Sequence, residues 1–224
     1  VEQLTEVTEY FAGIANAYAG QVERGEDGTY AGDRDAILER SDQVFLALEK
    51  KISCLQGPAV RAKGIRFSRI MSYLDFTGFF FPFTAEANVN MDFPAAELAA
   101  TVAHELSHQR GVAKEQEANF TAILACMEYG DPDYVYSGAL MATNYLTYAL
   151  SSAEPEACTQ IIYSLDKRVL RDYESSNEYW EQLATPVKKV SNAVYEDFLY
   201  GYDQTMGLRS YGACVDLLVQ YYAG

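Results

Sequence analysis

The chain has 224 residues, 49% of them apolar, with 32 acidic against 17 basic side chains and a formal net charge of −15. That length and apolar fraction can fill a substantial core. Nothing resembles a linker, a repeat or a low-complexity tract, so residues 1–224 read as one domain. The acidic balance argues against nucleic acid and anionic membrane surfaces as partners, and no apolar run is long enough to cross a bilayer.

The first segment, about Gln3 to Val22, carries Leu4, Val7, Phe11, Ile14, Ala15 and Tyr18 at helical spacing. A turn through Arg24-Gly25-Glu26-Asp27-Gly28 follows. A second helix is expected from about Asp33 to Cys54, ended by Gly57-Pro58. The stretch Arg66 to Asn90 differs. Phe76 to Phe83 is aromatic and contains Gly78, and Ala85, Ala87, Val89 and Met91 alternate with Glu86, Asn88 and Asn90. Period two predicts strands, with a hairpin centred near Pro82 and the asparagines on its wet side.

Pro94 suits the start of a helix over Ala95 to Gln109, with Leu98, Ala99, Val102, Ala103 and Leu106 as its buried surface. Gly111 interrupts it. The next helix runs from about Ala113 to Tyr129 with Phe120, Ile123, Leu124 and Met127 inward. Three or four further helices are expected, broken near Gly130-Asp131-Pro132, Glu154-Pro155, Thr185-Pro186 and Gly207. The fold class is mainly α (α+β), a helical bundle with a small sheet before the Ala95–Gln109 helix. Cys54, Cys126, Cys158 and Cys214 contain no Cys-x-x-Cys pair. Buried thiols are the favoured reading, and two disulfides the alternative.

Both histidines of the chain fall in His104-Glu105-Leu106-Ser107-His108. On a helix, positions i and i+4 share a face, so two imidazoles can grip one metal while the glutamate between them reaches a water. A catalytic zinc takes three protein ligands and leaves one position open. With no third histidine, a carboxylate must complete the set. Lys114 stands where one class of zinc peptidase has a histidine or aspartate, and an ammonium cannot ligate. Glu115 and Glu117 lie about 200° apart around a helix, so only one can point at the metal. Glu115 shares a row with Asn119 and Ile123 that runs into the apolar stripe. It is the chosen ligand, with Glu117 as fallback. Asn119, one turn on, is placed to accept a ring N–H from a ligating histidine.

Glu115-Gln116-Glu117-Ala118-Asn119 resembles the Glu-x-x-Ala-Asp word of gluzincins, zinc peptidases with two histidines and a downstream glutamate. The resemblance implies Glu115 as ligand and Asn119, in place of the usual aspartate, as support for a histidine. The chain is also similar to an uncharacterised bacterial domain-of-unknown-function family of gluzincin type. Pro82 to Asn90, His108-Gln109-Arg110-Gly111 and Ser210 to Leu218 carry that likeness. It implies a zincin-like fold, and a soluble part of a longer, membrane-anchored protein facing outside the cytoplasm. Val1 opens the chain without an initiator methionine, as a processed protein or a fragment would.

The activity these features imply is zinc-dependent hydrolysis of a peptide or protein substrate. Zn2+ is bound by His104, His108 and Glu115, and Glu105 acts as general base. Tyr211 is the candidate to steady the oxyanion, with Tyr136 and Arg110 as weaker ones. Ala85 to Asn90 is expected to offer an exposed edge to an extended peptide. The alternative function is a non-catalytic zinc-containing domain that binds peptides or acts as a sensor.

Overall fold

The structure is a computed structural model and describes residues 1–74, 76–183 and 209–224. It is mainly helical with one small sheet. Helix α1 (Glu2–Tyr18) buries Val7, Phe11, Ala12 and Ala15. It stops short of the expected Val22, because the chain turns at Ala19-Gly20.

The long helix expected over Asp33–Cys54 does not form. In its place are α2 (Arg34–Glu39), a 3-10 turn at Ser41–Gln43, α3 (Leu48–Lys51) and a second 3-10 turn at Ser53–Leu55. Ser41 accounts for the first break. Its buried hydroxyl donates to the Leu38 carbonyl and accepts from the Ala62 amide, so local and long-range bonds displace the helical ladder.

Three strands follow: β1 (Lys63–Ile65), β2 (Gly78–Phe81) and β3 (Glu86–Asn90), with the short helix α4 (Arg69–Tyr73) between the first two. The expected hairpin is present. β2 and β3 pair antiparallel, with Gly78 opposite Val89 and Phe81 opposite Glu86. β1 adds in parallel on the far side of β3, giving the order β1-β3-β2. Its three residues are too few to show a period. β3 is therefore central, and the free edge expected on Ala85–Asn90 belongs instead to its two neighbours, β1 and β2, among the described strands. Asn90 is not on a wet side either. It is buried, and its amide donates to Ser72 Oγ at 2.8 Å and to the Phe76 carbonyl at 2.9 Å.

Helix α5 (Ala95–Gln109) begins after Pro94 and buries Leu98, Ala99, Val102, Ala103 and Leu106, as its spacing predicts. One side of it lies on the sheet and the rest on α6 (Glu115–Tyr129) and α7 (Pro132–Ala153). α6 and α7 approach closely at Gly138, where an added Cβ would stand 2.6 Å from Cys126 Cβ. Helices α8 (Pro155–Ser164), α9 (Lys167–Gln182) and α10 (Arg209–Ala223) complete the described chain. The breaks at Gly130–Pro132 and Glu154-Pro155 stand where expected. A further one at Leu165-Asp166 separates α8 from α9, and Asp166 caps α9 by accepting the Arg168 amide. The expected breaks at Thr185-Pro186 and Gly207 lie outside the described residues. All four cysteines are free. Cys126, Cys158 and Cys214 are buried, but Cys54 is exposed, contrary to a uniform packing role. No helix among the described residues is long and apolar enough to cross a membrane.

Candidate metal centre

The centre is built from the last two turns of α5 and the first turn of α6. His104 and His108, one turn apart, stand with their rings nearly perpendicular, 4.7 Å between centroids. Their Nε2 atoms are 3.1 Å apart. The chain must then reverse within a few residues to bring a third group back. Gly111 does this at φ +89°, a left-handed conformation that favours glycine. Its amide bonds to the His108 carbonyl, and the Val112 amide to the Ser107 carbonyl. α6 then opens at Glu115, in the first turn, where the helix dipole favours a carboxylate.

Glu115 Oε2 lies 3.2 Å from His104 Nε2, and Oε1 lies 3.6 Å from His108 Nε2. Each of the three residues offers one ligating atom, and all these atoms lie within 4.8 Å of one another. The group could hold a metal ion. Burial alone would raise the Glu115 carboxyl, but hydrogen bonds from the two imidazoles and their charge outweigh it and hold it well below the usual carboxylate range. His108 Nδ1 meets the Val112 carbonyl at 2.7 Å. A carbonyl only accepts, so Nδ1 carries a proton, and Nε2 is the ring atom that faces the centre. Sequence reasoning gave that orienting role to Asn119. The side chain of Asn119 is buried on the same row of α6, but it makes no hydrogen bond to either imidazole. A backbone carbonyl leaves no trace in a sequence pattern. Among the described residues His104 Nδ1 is buried without a partner.

Glu105 points beneath β2. It is only 4% exposed, and its Oε2 has no hydrogen-bond partner. Burial raises its carboxyl above the ordinary range, the two imidazoles pull it down, and Glu115 adds to the rise. Directly over it is Gly78, where a Cβ would fall 2.6 Å from Glu105 Oε1 and 2.7 Å from Cγ. Sequence reasoning missed Gly78 as a site residue. The signal was there, since a lone glycine in an aromatic strand marks close approach of another group. The hairpin is also tied to the end of α5, where Gln109 Nε2 donates to the Ala85 carbonyl at 2.6 Å.

The remaining candidates go elsewhere. Glu117 pairs with Lys114 at 3.0 Å and is not one of the three residues grouped at the centre. Tyr136 donates to Asp172 within a buried group that includes Arg24, and no residue of the metal centre belongs to it. Arg110 donates to Glu49 and to the Leu55 carbonyl, both at 2.7 Å, with its guanidinium 4.6 Å from the Phe45 ring centroid. Both side chains are engaged in these contacts. Tyr211 falls in the first turn of α10, and its side chain lies outside those described.

A family model described as a protein of unknown function (DUF3810) matches residues 1–219. The chain belongs to that family. No curated protein and no solved structure matches it.

Proposed function

We propose that this member of the DUF3810 family is a zinc-dependent peptidase of gluzincin type. The observation that carries the reading is the convergence of His104, His108 and Glu115 beside the carboxyl of Glu105. Ligand atoms around a tetrahedral zinc at about 2.0–2.1 Å stand roughly 3.3 Å apart. Here the two Nε2 atoms stand 3.1 Å apart, Glu115 Oε2 lies 3.2 Å from His104 Nε2, and the other carboxylate oxygen, Oε1, lies 3.6 Å from His108 Nε2. Two nitrogens and a carboxylate oxygen also form the donor set that hydrolytic zinc takes. When bound, zinc supplies Lewis acidity, polarising a carbonyl and lowering the pKa of a water to about 7.

The chain's own residues do the rest. His108, fixed by Val112, and His104 present their Nε2 atoms, and Glu115 closes the third side. Glu105 takes the proton of the attacking water and delivers it to the leaving amine, a task that suits a carboxyl raised by burial. An extended substrate would pair with the open edge of β2, next to Glu105. Tyr211 stays the proposed oxyanion donor. On the family resemblance alone, we also propose that the full protein is membrane-anchored with this part outside the cytoplasm.

The burial of Glu105 under Gly78 favours one other reading, a zinc-holding domain that grips peptides without cutting them. Glu105→Gln separates the two. A peptidase keeps its zinc and loses hydrolysis, whereas a binding module has no hydrolysis to lose and retains its peptide.

A further inference from the structure

β2 pairs with β3 along one edge, and no described strand pairs with the other. Its side chains alternate. Gly78 and Phe80 share a face with Val89 and Ala87 and turn toward α5. Phe79 and Phe81 lie on the outer face, opposite Asn88 and Glu86. These two rings stay 40% and 43% exposed. Phe83 lies beyond them with its ring centroid 5.6 Å from that of Phe81. Two half-exposed phenylalanines on a four-residue edge strand leave apolar surface in water, beside a metal centre. On this face Glu86, opposite Phe81, is paired with Lys63.

We infer that Phe79 and Phe81 are specificity-determining residues: they select extended, non-acidic segments with apolar side chains at two positions spaced i and i+2. This rests on the peptidase reading. A chain added to the free edge places alternate residues on the outer face, directly across from Phe79 and Phe81, with Cβ atoms about 4.5–5.5 Å apart. The residues between them turn inward, toward α5 and the metal centre. No room exists for the substrate between β2 and α5 at Gly78, where even a Cβ would fall 2.6 Å from Glu105 Oε1. The free edge is the route left beside the general base. An apolar side chain opposite each phenylalanine removes exposed surface from water. A carboxylate there gains no such contact, and the net charge of −15 repels it.

The test uses the full chain loaded with zinc and a library of serine–glycine decapeptides carrying Leu, Ser or Glu at two positions spaced i and i+2. The unaltered protein should prefer Leu at both. In the double variant Phe79→Ser, Phe81→Ser the Leu-over-Ser ratio of kcat/KM should fall roughly twofold to thirtyfold, the range for two cross-strand apolar pairs. Zinc content should stay the same. Phe79→Thr alone, with a β-favouring side chain, serves if the double variant folds poorly. A second arm measures binding of the fluorescein-labelled peptides by anisotropy in Glu105→Gln, where no cleavage intervenes. If no peptide is cut, the peptidase reading fails, and the anisotropy ratio alone decides the inference. A Leu preference that survives the phenylalanine substitutions overturns it. So does a double variant that changes only the oligomeric state, which would make this face a contact between copies.

Discussion

Gly78→Ala adds one methyl group at the most crowded point of the candidate site. Gly78 is not among the positive-φ residues, so alanine can adopt its backbone and the effect is steric. The new Cβ would lie 2.6 Å from Glu105 Oε1, 2.7 Å from Cγ and 2.9 Å from Cδ. Restoring ordinary contact at 3.4 Å requires a displacement of about 0.8 Å. β2 is held by its pairing with β3 and by the Gln109–Ala85 bond, so the carboxyl yields more readily than the strand. A misplacement of about 1 Å in a catalytic group costs on the order of 100-fold in rate. Overpacking adds about 1–3 kcal/mol of lost stability. The three atoms nearest the methyl group all belong to Glu105 and none to a ligand, so zinc content should match that of the unaltered protein. The assay is kcat/KM per bound zinc on a quenched-fluorescence peptide, with zinc measured by elemental analysis and folding by circular dichroism. Turnover per zinc equal to that of the unaltered protein, in a folded Gly78→Ala variant, would falsify the placement of Glu105 beneath β2.

Three further outcomes are expected. Zinc at 100 times its Kd should stabilise the chain by about 2.7 kcal/mol, a Tm rise of roughly 5–11 °C for a chain of this size. EDTA should reverse that rise, and a His104→Ala protein that still shows it would count against the centre. Arg110→Ala should cost about 3 kcal/mol in denaturant unfolding, because it leaves Glu49 and the Leu55 carbonyl without their donor. Its turnover per folded molecule should be unchanged, and a specific loss of kcat would return Arg110 to the catalytic candidates. Asp166→Ala should cost about 1 kcal/mol at neutral pH through the lost cap of α9. Hydrogen bonds from the Arg168 side chain and backbone pull the Asp166 carboxyl down to about 2. A carboxyl depressed in the folded state stabilises above its unfolded value near 3.9 and loses that contribution as pH falls through 2. The stability gap between the two proteins should therefore close between about pH 4 and pH 2, and a constant gap would show that the charge plays no part.

The legible parts of this fold were those governed by local period. α5 and the β2–β3 hairpin stand where spacing put them, since one buried face fixes the repeat at 3.6 or at 2 residues. The expected Asp33–Cys54 helix failed because Ser41 found long-range partners that a pattern search cannot see. The same distinction runs through the site. The sequence by itself determined which three residues converge, because i and i+4 on one helix, a glycine reversal and a first-turn acid leave little freedom. Only the tertiary structure decided what surrounds them. It supplied Val112 rather than Asn119 as the orienting acceptor, put Gly78 over Glu105, made β2 an open edge, and used Arg110 and Tyr136 elsewhere. Such contacts join residues distant in the chain or use backbone atoms, and neither leaves a period in the order of side chains.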